Sequence, residues 1–248
     1  MKSNILFSVF LILFLNSFGQ KFLKPYIGIN FTKRILVSDY ENRKDSLDNA
    51  DKVGFMPNAG VLFLYEKKPG REFFWGIAYN QIGFERERLN YKFQDTVHPD
   101  LGQIHDLSQA AQKNGYFTYH FNYLEFPIGY NFQVTPREQM HNFTGWFNIG
   151  ITPQFLINQN MAIFLQGFTM KGENKFKFKN TGYNAAKMNL TLQSGGRVDV
   201  NVRSKFWVTS DFLFKINMMN AAENTLEKLR FWYVCFNLGL RYEIGDFR

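Results

Sequence analysis

The fold class this sequence predicts is an all-β, eight-stranded antiparallel up-and-down transmembrane β-barrel, and three observations predict it. Apolar and polar residues alternate with period two through eight long runs, as in strands whose two faces differ. The connections between the runs alternate between short and long, as when tight turns lie at one end of a membrane barrel and loops at the other. The chain has a polar mean hydropathy of −0.29, yet 18% of its 248 residues are aromatic, 29 of them Phe. Disordered chains lack such aromatics, and a helical membrane protein needs apolar runs of about 18 residues or more. The single Cys excludes a disulfide scaffold or a cysteine-based zinc site.

Residues 1–19 form the first element. Met1 to Asn4 is basic through Lys2, Ile5 to Leu15 is apolar apart from Ser8, and Asn16 to Gln20 is small and polar. This is the layout of a secretory signal peptide cleaved near Gly19–Gln20, and the apolar run falls well short of the roughly 20 residues that span a bilayer. Its removal takes away Lys2 alone, so the formal charge falls from +8 to +7. Residues 20–248 are then one barrel domain.

The runs follow in order at 22–32, 53–66, 72–85, 118–134, 143–158, 188–202, 206–218 and 229–245. Pro69-Gly70 marks a tight turn between the second and third runs. The fourth and fifth are joined over 135–142, and the sixth and seventh over 203–205. The longer connections are 33–52, 86–117, 159–187 and 219–228. In the fourth run Leu124, Phe126, Ile128, Tyr130 and Phe132 oppose Glu125, Gly129 and Asn131. In the sixth, Leu190, Leu192, Val198 and Val200 oppose Thr191, Gln193, Arg197, Asp199 and Asn201. In the seventh, Phe206, Val208, Phe212, Phe214 and Ile216 oppose Thr209, Asp211, Lys215 and Asn217. In the eighth, Trp232, Val234, Phe236, Leu238, Leu240, Tyr242 and Ile244 oppose Tyr233, Cys235, Asn237, Gly239, Arg241 and Glu243. No apolar face of these runs carries a charge.

Alternation alone does not say which face is inside, and a soluble lipocalin-like ligand-binding barrel would turn its apolar side inward. Three features favour the membrane version, in which the aromatics face lipid. The apolar faces are too bulky for the narrow bore of eight strands. The polar faces combine both charge signs with small residues such as Gly129, Gly195 and Gly239. Aromatics also gather at strand ends as interface girdles do: Phe63, Tyr65, Phe73, Trp75, Tyr130, Phe132, Phe143, Phe206 and Tyr242 on the turn side, and Phe31, Phe55, Phe155 and Trp232 on the loop side. The expected address is the cell outer membrane of a Gram-negative bacterium, with long loops extracellular and termini periplasmic.

Tyr123-Leu124-Glu125-Phe126-Pro127-Ile128-Gly129-Tyr130 resembles a strand of the PorT-like outer-membrane barrels of Bacteroidota, which are of the same eight-stranded kind as OmpA- and OmpX-like barrels. The leader ending Phe18-Gly19-Gln20 and the closing Gly239-Leu240-Arg241-Tyr242 are similar to that family too. The resemblance implies an outer-membrane barrel of a family most of whose members have no assigned activity, one lineage being linked to protein secretion.

The candidate polar lumen network is Glu125, Arg197, Asp199, Asp211, Lys215, Arg241 and Glu243. Buried charges must pair, and side chains fill a barrel of this size, so the network reads as structural rather than as a conduction path. Lys175, Lys177 and Lys179 alternate with Phe176 and Phe178. They suit a hairpin above the membrane in contact with anionic lipid headgroups, or an edge guarded by lysines. His98, His105, His120 and His141 lack helical metal-ligand spacing. Pairing His120 with Ser108 or Ser210 would suit a lipid-modifying outer-membrane barrel enzyme, the alternative to a non-enzymatic platform. No catalytic, cofactor or metal site is expected. The expected partners are outer-membrane lipid and an unidentified protein, with no nucleic acid, and the chain is expected to be a monomer.

Overall fold

A computed structural model describes residues 19–37, 51–91, 113–135, 143–165, 175–179, 181–223 and 228–247. The expected signal peptide up to residue 18, the tips of the four long connections and the turn at 136–142 lie outside the described residues. The elements are β1 (Gly19–Val37), β2 (Asp51–Lys68), β3 (Arg71–Tyr91), β4 (Lys113–Glu125), β5 (Ile128–Gln133), β6 (Phe143–Leu165), β7 (Lys175–Phe178), β8 (Asn184–Ala185), β9 (Met188–Arg203), β10 (Phe206–Asn217), β11 (Ala222–Glu223) and β12 (Lys228–Phe247).

Eight antiparallel staves form the ring: β1, β2, β3, β4 with β5, β6, β9, β10 and β12. The ring closes where β12 pairs with β1, from Gly19 opposite Phe247 to Val37 opposite Lys228. Closure leaves no sheet edge, which hydrocarbon would not tolerate. The fourth run, read as continuous over 118–134, is broken at Phe126-Pro127, because proline has no N–H to give to the ladder. Bonding continues on both sides of the break: Gly76 N donates to the Pro127 carbonyl at 3.0 Å and Phe126 N to the Pro153 carbonyl at 2.9 Å.

The outer surface settles which face is inside. Ile27 is 70% exposed, Phe55 65% and Leu238 53%, amid a continuous belt of exposed aliphatic and aromatic side chains around the ring. An apolar surface of that extent is stable only when water is absent from it, and it makes this a transmembrane barrel. The belt is edged by aromatic pairs, such as Phe206 with Tyr242 (centroids 4.7 Å apart) at the turn end and Phe31 with Phe55 (5.2 Å) at the loop end.

The strands extend further than the runs at the loop end: β1 reaches Val37, β3 reaches Tyr91, β4 starts at Lys113 and β6 reaches Leu165. Beyond the belt the two faces exchange character. The outward residues there include Lys33, Glu85, Glu87, Thr118, His120 and Asn160. The inward ones are Ile82, Phe84, Phe117, Tyr119, Phe121, Ile163, Leu229 and Phe231, all buried. A wall that leaves lipid and enters water must put polar groups outside and apolar groups inside. The aromatics therefore face lipid only along the outward rows of the belt; above it they make an internal core joined by Tyr183 and Ala221, and at the turn end Phe22, Phe74 and Trp207 also turn into the lumen.

Two bulges help produce this inversion. On β6 the pairing steps from Asn122–Asn158 to Tyr123–Leu156, so Ile157 is an extra residue. One extra residue shifts the two-residue alternation by one face, and Phe155 and Ile157 face lipid whereas Asn158 joins a polar row. In that row Asn122 accepts from Gln81 Nε2 (2.7 Å) and the Tyr79 hydroxyl (2.7 Å) and donates to Asn158. On β2 the pairing steps from Val53–Phe84 to Asn58–Asn80. Side chains of β1 bond the β3 carbonyls there, Asn30 Nδ2 to Gln81 O at 2.9 Å and the Thr32 hydroxyl to Gly83 O.

Candidate functional site

The described lumen has three levels. At the turn end Phe22, Leu64 and Phe74 form a small apolar cluster with Leu62 and Trp207. Gly129 and Gly150 leave the space that the tip of the Phe74 ring occupies, and a Cβ on either would meet it. The Arg241 guanidinium lies 3.6 Å from the Phe22 ring centroid, 5.3 Å from Trp207 and 5.5 Å from Trp146, and Arg197 lies 4.8 Å from Trp146. Stacking of this kind suits the flat, weakly hydrated guanidinium.

Within and above that cap lies the main ion cluster. Arg197 bonds Glu72 at 2.7 Å and lies 3.0 Å from Asp199; Arg241 bonds Asp199 at 2.7 Å and lies 2.9 Å from Glu72. Lys24 bonds Asp211 at 2.6 Å. The cluster thus holds three cations against three buried carboxylates, with Glu66 at its edge 3.8 Å from Arg241. Neutrality is what a buried site requires, because the desolvation cost of each ion must be met by its partners.

The middle level centres on Glu125, whose Oε2 accepts from Lys215 at 2.8 Å. Its Oε1 accepts from Asn80, from Gln154 at 2.6 Å and from the Tyr233 hydroxyl at 3.2 Å. A carboxylate so engaged ties β4 to four other staves, β3, β6, β10 and β12. The loop-end level is the aromatic core, within which Asp51 bonds both Arg34 and Arg86 (2.9 Å), and both guanidinium groups lie over Phe84. Outside the belt, Lys52 and Glu87 meet at 2.7 Å across β2 and β3. Their mutual hydrogen bond raises the lysine pKa and lowers that of the glutamate, at little gain in stability for so exposed a pair.

Six of the seven candidate lumen residues, Glu125, Arg197, Asp199, Asp211, Lys215 and Arg241, are buried and ion-paired. Glu243 is half-buried at the turn-end rim, where its backbone N donates to Lys205 O at 3.1 Å. Lys24 and Glu72 are full members that sequence reasoning missed. Their parity was available: Lys24 shares a face with Tyr26 and Asn30, and Glu72 with Phe74 and Asn80. Arg34, Asp51 and Arg86 fell beyond the expected strand ends. The space remaining between Lys24, Asn131, Asn148, Arg197 and Asp211 is about 20 Å³, room for about one water, so the lumen is packed at this level.

Lys177 and Lys179 are exposed, and β7 folds antiparallel onto β6 with Lys177 opposite Ala162. Lys175 opposes Phe164, its side chain being outside the described residues, as are His98, His105, His141 and Ser108. His120 and Ser210 are not brought together. His120 lies on β4, its Nδ1 3.3 Å from Met56 Sδ, and Ser210 on β10 with β6 and β9 between, a separation of roughly 14 Å or more at the usual strand spacing.

Cys235 is buried on the lumen side beside Leu213 and Asn30. A maleimide reagent is expected to leave the folded protein unmodified and to label it fully after denaturation, read by mass. Labelling of the native barrel at the denatured rate would contradict this packing.

No known family profile matches the chain, and no curated protein matches it. Among solved structures it is similar to the attachment invasion locus protein Ail of Yersinia pestis, at 11% identity over 91% of this chain and 100% of that one, with a TM-score of 0.32. It is also similar to the outer membrane protein OprG from Pseudomonas aeruginosa, at 10% identity over 92% and 97%, with a TM-score of 0.44. A major outer membrane protein from Thermus thermophilus gives 9% identity over 90% and 99%, with a TM-score of 0.44. These are likenesses between chains and lend this one no activity.

Proposed function

We propose that this protein is a monomeric barrel of the cell outer membrane, with periplasmic termini and extracellular loops, and that it serves as a non-enzymatic platform for a binding partner. The observation that carries the reading is the pairing of a filled lumen with a wall that rises beyond the lipid belt. A packed interior supports a rigid scaffold rather than a conduit. The raised wall, polar outside and aromatic inside, offers a preformed stage on which the long loops are mounted. Lys177 and Lys179, exposed beside β6, with Lys175 in the same segment, favour contact with anionic lipid headgroups at that end. The signal-peptide layout of residues 1–19 and the strand at 123–130 favour the outer membrane and a role linked to secretion.

The reading is tested in cells. The protein is expected in the outer-membrane fraction, released only by detergent, and recovery from the soluble periplasm would overturn the placement. Photo-crosslinkers at Thr118 and Asn160, on the raised wall, are expected to capture a discrete partner, and replacing residues 166–174 with a short turn should diminish that capture. If no loop replacement alters any interaction or phenotype, the platform role fails.

A further inference from the structure

Where β12 closes onto β1, the outer face carries a groove of about 530 Å³ lined by Ile29, Phe31, Phe212, Trp232, Val234 and Phe236, with Lys33 at its loop-end edge. That volume falls within the range of small-ligand sites. The groove opens onto the lipid belt, so what fills it is hydrocarbon, and the charge at its edge narrows the choice. Lys33 stands opposite Trp232, and Arg230 stands opposite Ile35, one same-face step further from the belt, or about 7 Å along the strand. Both are exposed. Arg230 Nε is held by Asn220 Oδ1 at 3.0 Å, and neither cation is paired with an acid among the described residues. Lys228, the next same-face residue, stands opposite Glu223 and adds little net charge.

We propose that this groove binds a multiply acylated, diphosphorylated lipid of the leaflet at the loop end, its chains against Phe212, Val234 and Phe236 and its phosphates on Lys33 and Arg230. Lys33 and Arg230, about 7 Å apart along the strand direction, must share the anion of a lipid with one phosphate, whereas two phosphates on one headgroup give each cation its own. The inference rests on placing the barrel in an outer membrane. Cell fractionation tests that placement, while lipid retention in detergent tests the groove by itself.

The experiment is native mass spectrometry of the purified full chain with three lipids: hexa-acyl diphosphoryl lipid A, its monophosphoryl form and phosphatidylglycerol. Retention is expected to fall in that order. Changing Lys33→Gln together with Arg230→Gln should weaken the diphosphoryl lipid by about tenfold or more, at the usual worth of two cations near an anionic headgroup. Val234→Trp, which fills the groove without changing charge, should reduce retention of all three. Equal retention of the three lipids by the unmodified protein would overturn the proposal, as would a preference for phosphatidylglycerol or indifference to both variants.

Discussion

Changing Glu72→Ala is expected to be the most damaging single substitution in the lumen, costing about 3–5 kcal/mol, the usual cost of removing one partner from a buried ion cluster. Glu72 is fully buried and meets both Arg197 at 2.7 Å and Arg241 at 2.9 Å, while its Oε1 also accepts from Asn131 Nδ2 at 2.6 Å. Without it, two guanidinium groups share Asp199, with Glu66 a more distant 3.8 Å from Arg241. The excess positive charge lies in a packed interior, where water cannot solvate it. Glu72→Gln retains the shape and an acceptor and should fall between the two. Urea unfolding of the barrel in lipid vesicles measures this. A midpoint for the alanine variant equal to that of the parent would sink the assignment of the cluster as the turn-end lock.

The second large effect is expected on the outside. Leu238 lies midway along the lipid-facing row from Tyr242 to Trp232. Leu238→Arg should cost about 2–4 kcal/mol, as cations do at the middle of a bilayer. Thr118→Arg is a paired control, because Thr118 sits on the same outer surface but beyond the polar row of Gln81, Asn122 and Asn158. There the same side chain should cost about 0–1 kcal/mol, as it does near the interface. Equal losses at the two positions would mean that the belt does not end where the polar row begins.

The two substitutions probe opposite faces of one architecture, and the lumen chemistry is what the proposed scaffold role rests on. The charges of the main cluster are paired in place, Glu125 accepts from Lys215, Asn80, Gln154 and Tyr233, and aromatic groups occupy the described lumen at both levels beyond them. Selection for a conduit would instead keep the bore wide and hydrated, as in barrels of many more strands.

The sequence by itself determined the eight staves, the pattern of short and long connections and the inward placement of Glu125, Arg197, Asp199, Asp211, Lys215 and Arg241. A strict two-residue alternation carries all of this, since each side chain's face follows from its parity. Even Lys24 and Glu72 were legible by parity, though they lie close to the ends of their runs. Only the tertiary structure decided how high the wall stands and where its faces exchange roles. The extra Ile157 on β6 shifts the alternation by one face, and a bulge is defined by what lies opposite it rather than by local composition. Beyond it, Phe84, Phe117 and Phe121 keep the inward parity of Glu72 and Glu125 on their own strands, and only the height of the wall shows that this face has become an aromatic core there rather than a polar lumen. Which ions meet was likewise closed to the sequence: Lys24 and Asp211 are 187 residues apart, and Glu72 and Arg197 are 125 apart. Those partners are set by the bore, which brings side chains from opposite staves to one point and penalises any charge left alone there.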